Sequence, residues 1–556
     1  MGRREVGDPD PRSASGYADP HPVDLTAKNF LDEAGLTASH KALFNLGMDI
    51  LDANYRPPLL FSSAKLSSWY SVGLLARDQP GDVERAKKLL ANSLHLQELD
   101  SSFEQNYGSF KKHAVHPWSS GKNPLWVGEI YDSYDPNNAQ VLDQFSDKLD
   151  SDLIEGIKKA MHTACIGNAK RHGGWHGDDM WPSYTNPWFL RCVCSTYTGH
   201  MMGDKQLIEQ AEGWVQEAVE LFDRDDTPGE FNSPTYAGVT LMALALAKFC
   251  PPESAISKVA PRLMKAIWES QAETYNPSLK NVAGPWDRSY GYCMTQYYAT
   301  VAANIASVVG IEDAPMPSPL NGSDHFTDAA LIPMQMLTAP YTEADLSDET
   351  RAKFKKLYAP HMYTPRSTFP PHDRKPRRYT YWLEEGLSIG GVEFDEDRIG
   401  GPKGIPAQFN PGVIQWDSGN HGSGCGWISV WPENACTSFI ASKDSLTVRY
   451  LTPTDFPGSP TSNRVAIRFG CLPGLHLDHE FLADGKASLP GLDIHLSGSI
   501  VDKGDRAVSF SLAQKIHGAY YYEVVYTFPD SLRETEAPTL VIGVTKTQPP
   551  ASLFLM

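Results

Sequence analysis

The chain is 556 residues long, 41% hydrophobic and 21% charged, with 49 Lys and Arg against 67 Asp and Glu for a formal charge of −18. That length exceeds what one core supports and points to two or three domains, and the apolar-to-charged ratio is that of a soluble globular protein. The negative balance argues against nucleic acid and anionic membranes as partners, although a local Arg or Lys cluster in a cleft can still receive an anion.

Residues 1–24 are polar and Pro-rich with no apolar signal-peptide core, and no run has the length and purity of a transmembrane helix. The expectation is a cytoplasmic protein, or a secreted one if a leader has been removed. Residues 25–310 read as helix after helix. Apolar residues recur at helical spacing in "TAKNFLDEAGLTASHKALFNLGMDILDAN" and "GDVERAKKLLANSLHLQ", and again over 152–171, 187–202, 205–222, 235–249, 255–275 and 296–309. The helices come in pairs joined by polar, Gly/Pro/Trp-rich connections, without a strict repeat, which suggests helical hairpins closed into an incomplete (α/α) toroid.

Residues 311–378 read as a linker or crossover, opening on "GIEDAPMPSPLNGSDHF" with some helical character around "TEADLSDETRAKFKKLYAPHM". From residue 379 to 556 the pattern is β. Segments such as "YTYWLEEGLSIGGVEF", "GVIQW", "GWISVWP", "SLTVRYL", "RVAIRFG", "IHLSGSIV", "YYYEVVYTF" and "TLVIGVTK" alternate between Gly, Asp and Pro turns. Many short strands with no helix between them mean an antiparallel β-sandwich. The fold class is α+β and multidomain.

The eight cysteines (165, 192, 194, 250, 293, 425, 436 and 471) are spread through apolar patterns, resemble no compact disulfide framework and include no CxxC pair, so buried reduced thiols are expected. Phosphate-loop, GxSxG and HExxH motifs are absent, and no metal or other cofactor is expected.

Chemistry-bearing residues crowd into four loops. "RHGGWHGDDMWPSYTNPWFL" holds Trp175, His176, Asp179, Trp181, Tyr184 and Asn186 ahead of a helix. "GEFNSPTYAG" holds Glu230, Asn232 and Tyr236 at the mouth of an apolar helix, and "NVAGPWDRSYGY" holds Trp286, Asp287, Arg288, Tyr290 and Tyr292. In the β half, "WDSGNHGSGCGW" surrounds His421. Each residue also has a plain structural role open to it. Asn232 suits a cap or Asx turn, Tyr236 a satisfied core position, and Arg288 beside Asp287 an ion pair. Recurrence of such loops at one end of a helical ring is what points to a common cleft.

A helical toroid followed by a β-sandwich resembles the polysaccharide lyases of the chondroitin AC, hyaluronate, alginate and heparinase II/III type. The resemblance rests on "SPTYAG", with Tyr236 in the slot of the proton-abstracting Tyr, "PSYTNPWFL", with Asn186 in the Asn slot, and "PWDRSYG", which offers Arg288. Where many relatives carry a His shortly before the Tyr, this chain has Asn232, so either His176 or, second, His421 supplies that group or the mechanism runs without it. The resemblance implies β-elimination on a uronic-acid-containing carbohydrate, with Tyr236 as base, Tyr236 or Tyr290 as acid, and Asn186, Asn232 and Arg288 neutralising the carboxylate. Trp175, Trp181, Trp286, Asp179, Glu230, Asp287, Tyr292 and His421 would line the substrate. Two alternatives stay open: a glycoside hydrolase using an Asp/Glu pair on the same toroid, and a carbohydrate-binding protein without chemistry.

Overall fold

The computed structural model of the protein describes residues 35–61, 63–101, 107–110, 142, 144–169, 180–318, 320, 323, 325–396, 409–419, 424–432, 434, 436–451, 462–470, 485–512 and 520–548. Its helices are α1 Ala38–Asn54, α2 Ala64–Arg77, α3 Asp82–Leu94, α4 Ser151–Ala169, α5 Thr185–Met202, α6 Lys205–Phe222, α7 Tyr236–Leu246, α8 Ala255–Thr274, α9 Val301–Val309, α10 Ile332–Thr342 and α11 Asp348–Lys355. Several begin as local chemistry dictates. Thr37 closes a capping box on α1, and Ser63, Asp204 and Ser254 each accept a backbone N–H of the helix that follows.

The helices pack in sequence around a ring. α2 lies on α1 and α3, α4 on α3 and α5, and α5 on α6 and α7, while α9 and α10 return to α1. The arrangement is the incomplete (α/α) toroid expected from the paired helical patterns. α7 is its hub, touching α5, α8, α9 and α10, and every residue from Gly238 to Leu246 is buried. A helix that is apolar all round is one with neighbours on all sides.

Two elements differ from the sequence pattern. The helix expected over 296–309 starts at Val301, because residues 296–300 form the loop that docks on α7, with Val301 N donating to Pro234 O at 3.1 Å. Helix α10 is buried on nearly every face and contains Pro340, so it carries no amphipathic signature inside a stretch rich in turn formers.

The C-terminal strands are β1 Arg377–Glu384, β2 Leu387–Asp395, β3 Gly412–Trp416, β4 Gly426–Pro432, β5 Cys436–Ala441, β6 Ser445–Tyr450, β7 Arg464–Gly470, β8 Lys486–Leu489, β9 Leu492–Ser497, β10 Asp505–Leu512, β11 Tyr520–Thr527 and β12 Thr539–Lys546. "IHLSGSIV" is a strand only as far as Ser497, after which Ser499–Lys503 makes a helical turn. Among the described residues all strand pairings are antiparallel, and the sheet divides at β2. One edge of β2 pairs with β1; on the other, residues 387–391 pair with β3 and residues 393–395 with β5. One arm runs β5-β6-β12-β9-β8 and the other β3-β4-β7-β11-β10. Their facing side chains, among them Ile414, Ile428, Ile467, Phe439, Leu446, Val448, Leu540 and Ile542, share one core, which makes the pair of arms a β-sandwich.

Strands β3 and β4 of the second arm are covered on both sides. Ile414 and Ile428 point into the sandwich, whereas Val413 and Trp427, one position earlier on each strand, join the core of the helical half. Polar contacts seal the same junction. Asn276 Nδ2 donates to Glu384 O at 2.9 Å and Ser388 Oγ at 3.0 Å, and Gln415 Nε2 donates to Tyr292 O at 2.7 Å.

Candidate active site

Two loops meet at the mouth of α7, and their meeting is built from short-range chemistry. Asn232 sits at φ 55°, a left-handed conformation that Asn tolerates better than most residues. Its Nδ2 donates to Ala283 O at 2.8 Å and Pro285 O at 2.9 Å, and its Oδ1 accepts from Thr274 Oγ1 at 3.1 Å. Ser233 works in both directions: Oγ accepts from Tyr236 N at 3.1 Å, capping the first turn of α7, and donates to Arg288 O at 2.8 Å. The loop bearing Tyr236 is thereby fixed to the loop bearing Arg288 before any charged group is considered.

The charged groups then form one chain. Glu230 Oε2 accepts from the Asn186 backbone N at 2.9 Å and from its Nδ2 at 2.7 Å, while Glu230 Oε1 lies 3.3 Å from Arg288 Nη1. Arg288 Nη2 donates to the hydroxyls of Tyr236 at 3.1 Å and Tyr290 at 3.5 Å, and those two hydroxyls are hydrogen-bonded to each other. The guanidinium also lies 4.2 Å from the Tyr236 ring centre and 5.3 Å from that of Tyr184. His325 stacks on Tyr290 at 4.1 Å between ring centres. Burial falls along the chain: Asn186, Glu230 and Arg288 are buried, whereas Tyr236, Tyr290 and His325 are half-buried.

Burial pushes the Glu230 carboxyl up to about 7; Arg288 and the Asn186 donors pull it down, while the Asp287 charge pushes it further up. Burial works against the Arg288 cation, but the oxygens of Tyr236, Tyr184, Tyr290 and Glu230 around it outweigh that and hold it charged. A fixed guanidinium thus stands between a carboxylate that titrates near neutrality and a touching pair of phenols. Such a site can stabilise a phenolate and receive an anionic group.

The structure brings Asn186, Glu230, Tyr236, Arg288 and Tyr290 together and corrects the roles of four other residues. Asn232 is not a carboxylate clamp, because both ends of its amide hold loop backbone and the Thr274 hydroxyl. Trp286 is 1% exposed with its indole N–H on Val282 O at 3.2 Å, and Tyr292 is stacked on Trp427 at 4.1 Å, so both rings belong to the junction between the halves and not to a sugar platform. Asp287 is wholly buried and accepts from Arg377 Nη1 at 2.7 Å. Trp181 is half-buried ahead of α5. Trp175, His176, Asp179 and His421 lie outside the described residues.

His325 belongs with the site and was not singled out from the sequence. It lies in the stretch read as a linker, and its one local signal was a lone imidazole among turn formers in "NGSDHF". Among the described residues no group of three His, Cys, Asp or Glu is arranged to hold a metal.

Over its length the chain is similar to heparinase III (9% identity, 97% of this chain and 88% of that one, TM-score 0.42). It is likewise similar to a heparan sulfate lyase HepC mutant from Pedobacter heparinus (10% identity, 96% and 86%, TM-score 0.32). No curated protein matches the chain. Residues 359–545 match the family model described as a domain of unknown function, DUF8770. Residues 41–340, more than half of the chain and the whole of the Tyr236–Arg288 site, match the model described as a domain of unknown function, DUF8769, and the protein belongs to that family.

Proposed function

We propose that the protein is a polysaccharide lyase that cleaves a uronic-acid-containing poly- or oligosaccharide by β-elimination, with the Tyr236–Tyr290 pair as base and acid. The observation that carries this reading is two phenol hydroxyls in mutual contact under one buried guanidinium. An ordinary Tyr titrates near 10, so a phenolate at neutral pH requires about 4 kcal/mol of stabilisation. Hydrogen bonds to a charged donor contribute about 1.5–3 kcal/mol each, and the N-terminal turn of α7 adds a favourable dipole at Tyr236. Protonation of Glu230 near pH 7 removes an adjacent negative charge that would oppose the phenolate.

In the reaction one phenolate takes the C5 proton of the uronate. The C5–H electron pair becomes the C4–C5 double bond, the C4–O bond breaks, and the other phenol gives its proton to the leaving glycosidic oxygen. Arg288 and Asn186 neutralise the substrate carboxylate and stabilise the enolate-like charge that builds on it. A hydrolase would need two carboxylates flanking the bond, and of the described candidates Asp287 is committed to Arg377.

The test is a panel of hyaluronate, chondroitin, alginate and heparan sulfate with their oligomers, read by near-ultraviolet absorbance and product mass. Unsaturated products are expected, with Tyr236→Phe slower by about 100-fold or more. Products heavier by one water would replace the lyase with a hydrolase, and near-normal turnover by Tyr236→Phe would remove Tyr236 as the base.

A further inference from the structure

We propose that Cys293 and Cys425 are a redox-modifiable thiol pair, in which Cys293 takes up a low-molecular-weight disulfide and Cys425 resolves it to an intrachain Cys293–Cys425 disulfide. The bond would join the loop carrying Arg288 and Tyr290 to the turn before β4 of the sandwich. This inference does not depend on the lyase reading.

The two residues are 132 positions apart in sequence and share a small buried cluster with Leu279. Gly424 is what brings them so close. It adopts φ 81°, and a Cβ on it would lie 2.3 Å from Cys293 Sγ, so only glycine lets that sulfur rest against the strand entry beside Cys425. The Cys425 backbone N–H donates to Cys293 Sγ at 3.4 Å, and the Thr295 hydroxyl lies 3.0 Å from the same sulfur. Asn281 Nδ2 donates to Cys425 Sγ at 3.2 Å, which fixes the second sulfur as well.

These contacts divide the work of exchange. The Cys425 thiol, the Thr295 hydroxyl and the Cys425 N–H hold Cys293 well below the ordinary thiol range despite its burial, and the proton the pair shares stays on Cys425. Burial instead pushes Cys192 up, and raises Cys250 to about 12. A cavity of about 320 Å³ is lined by Cys425, Thr295, Gly424, Lys280 and Asp417, and Cys293, 1% exposed, lies directly behind Gly424 and Thr295.

The exchange balances without another reactant. The Cys293 thiolate attacks one sulfur of the small disulfide, forming a mixed disulfide and releasing one small thiolate. Cys425 then attacks the Cys293 sulfur, forming the Cys293–Cys425 bond and releasing the second thiol. The protein loses two hydrogens, and two small thiols are produced.

The test treats the full chain with oxidised glutathione at pH 7, alkylates the remaining thiols and maps peptides by mass. A Cys293–Cys425 linked peptide, reversed by dithiothreitol, is expected in the wild type. Cys425→Ser should stop at glutathione on Cys293, and alkylation of Cys293 should outpace that of Cys192 and Cys250 by about tenfold or more. A wild-type chain in which Cys293 stays unmodified, or in which the mixed disulfide persists unresolved, would overturn the proposal. The wild-type measurement decides it even where a Cys variant fails to fold.

Discussion

Glu230 is asked to hold Arg288 and both donors of Asn186 while buried to 4% exposure, and its proton affinity records the conflict. Its carboxyl rises from 4.5 to about 7 in the folded protein. Between those values the folded chain keeps a proton that the unfolded chain has released, so the associated stability is present at low pH and is lost as pH rises through about 7. A shift of that size corresponds to about 3 kcal/mol. Asp373, pushed up to about 6, and Asp287, also raised, change stability in the same direction, and they do so in both wild type and Glu230→Gln. Urea unfolding across a pH series should therefore show wild type losing up to about 3 kcal/mol relative to Glu230→Gln between pH 4.5 and 8. Parallel curves would mean that Glu230 titrates normally in the folded state. From the sequence Glu230 was legible as a loop acid near the site, but its partners were not, because Asn186 and Arg288 are 44 and 58 residues away along the chain.

At the scale of elements, α7 explains why a Tyr-x-Gly stretch stands at the entrance of an apolar helix. A Cβ on Gly238 would lie 2.6 Å from the Thr300 carbonyl carbon and 2.6 Å from its Oγ1, so glycine alone lets the first turn of α7 seat against the residues that start α9. The clash is with backbone, which cannot swing aside. Gly238→Ala should destabilise the protein by about 1–3 kcal/mol through overpacking, despite the better helix propensity of Ala. It should also lower activity by displacing Tyr236 relative to Arg288. A Gly238→Ala protein with unchanged unfolding midpoint and turnover would show that this contact does not position the helix. The helix itself was plain from its apolar run, and the crowding of polar residues before it was visible too. What those residues did was not. Asn232 reads equally as a cap, a turn former or a ligand until Ala283, Pro285 and Thr274 are seen around it, and α10 was hidden because a helix buried all round has no period.

For the whole molecule, the sequence divides the chain into a helical half and a β half, yet it gives no sign of how completely they are fused. Alternation along β3 and β4 announced a sandwich strand with one buried face; both faces are buried, since Val413 and Trp427 serve the helical core. The fusion has a charged centre. Arg377, at the start of β1 and wholly buried, donates to Asp287 of the active-site loop at 2.7 Å, to Glu396 at 2.8 Å and to Asp373 at 3.0 Å. Arg377→Met keeps much of the side-chain volume but removes the cation those three buried carboxylates share, which costs about 3–5 kcal/mol for a buried pair and leaves its partners to be protonated or exposed. Because Asp287 sits next to Arg288, the loss reaches both halves at once. Hydrogen exchange read on peptides of the helices and on peptides of sandwich strands such as β6 and β12 should show protection lost in one shared transition, shifted to lower denaturant in Arg377→Met by that amount. Two separated transitions in the wild type, or a shift confined to the strand peptides, would mean that the halves fold independently and that Arg377 serves the sandwich alone.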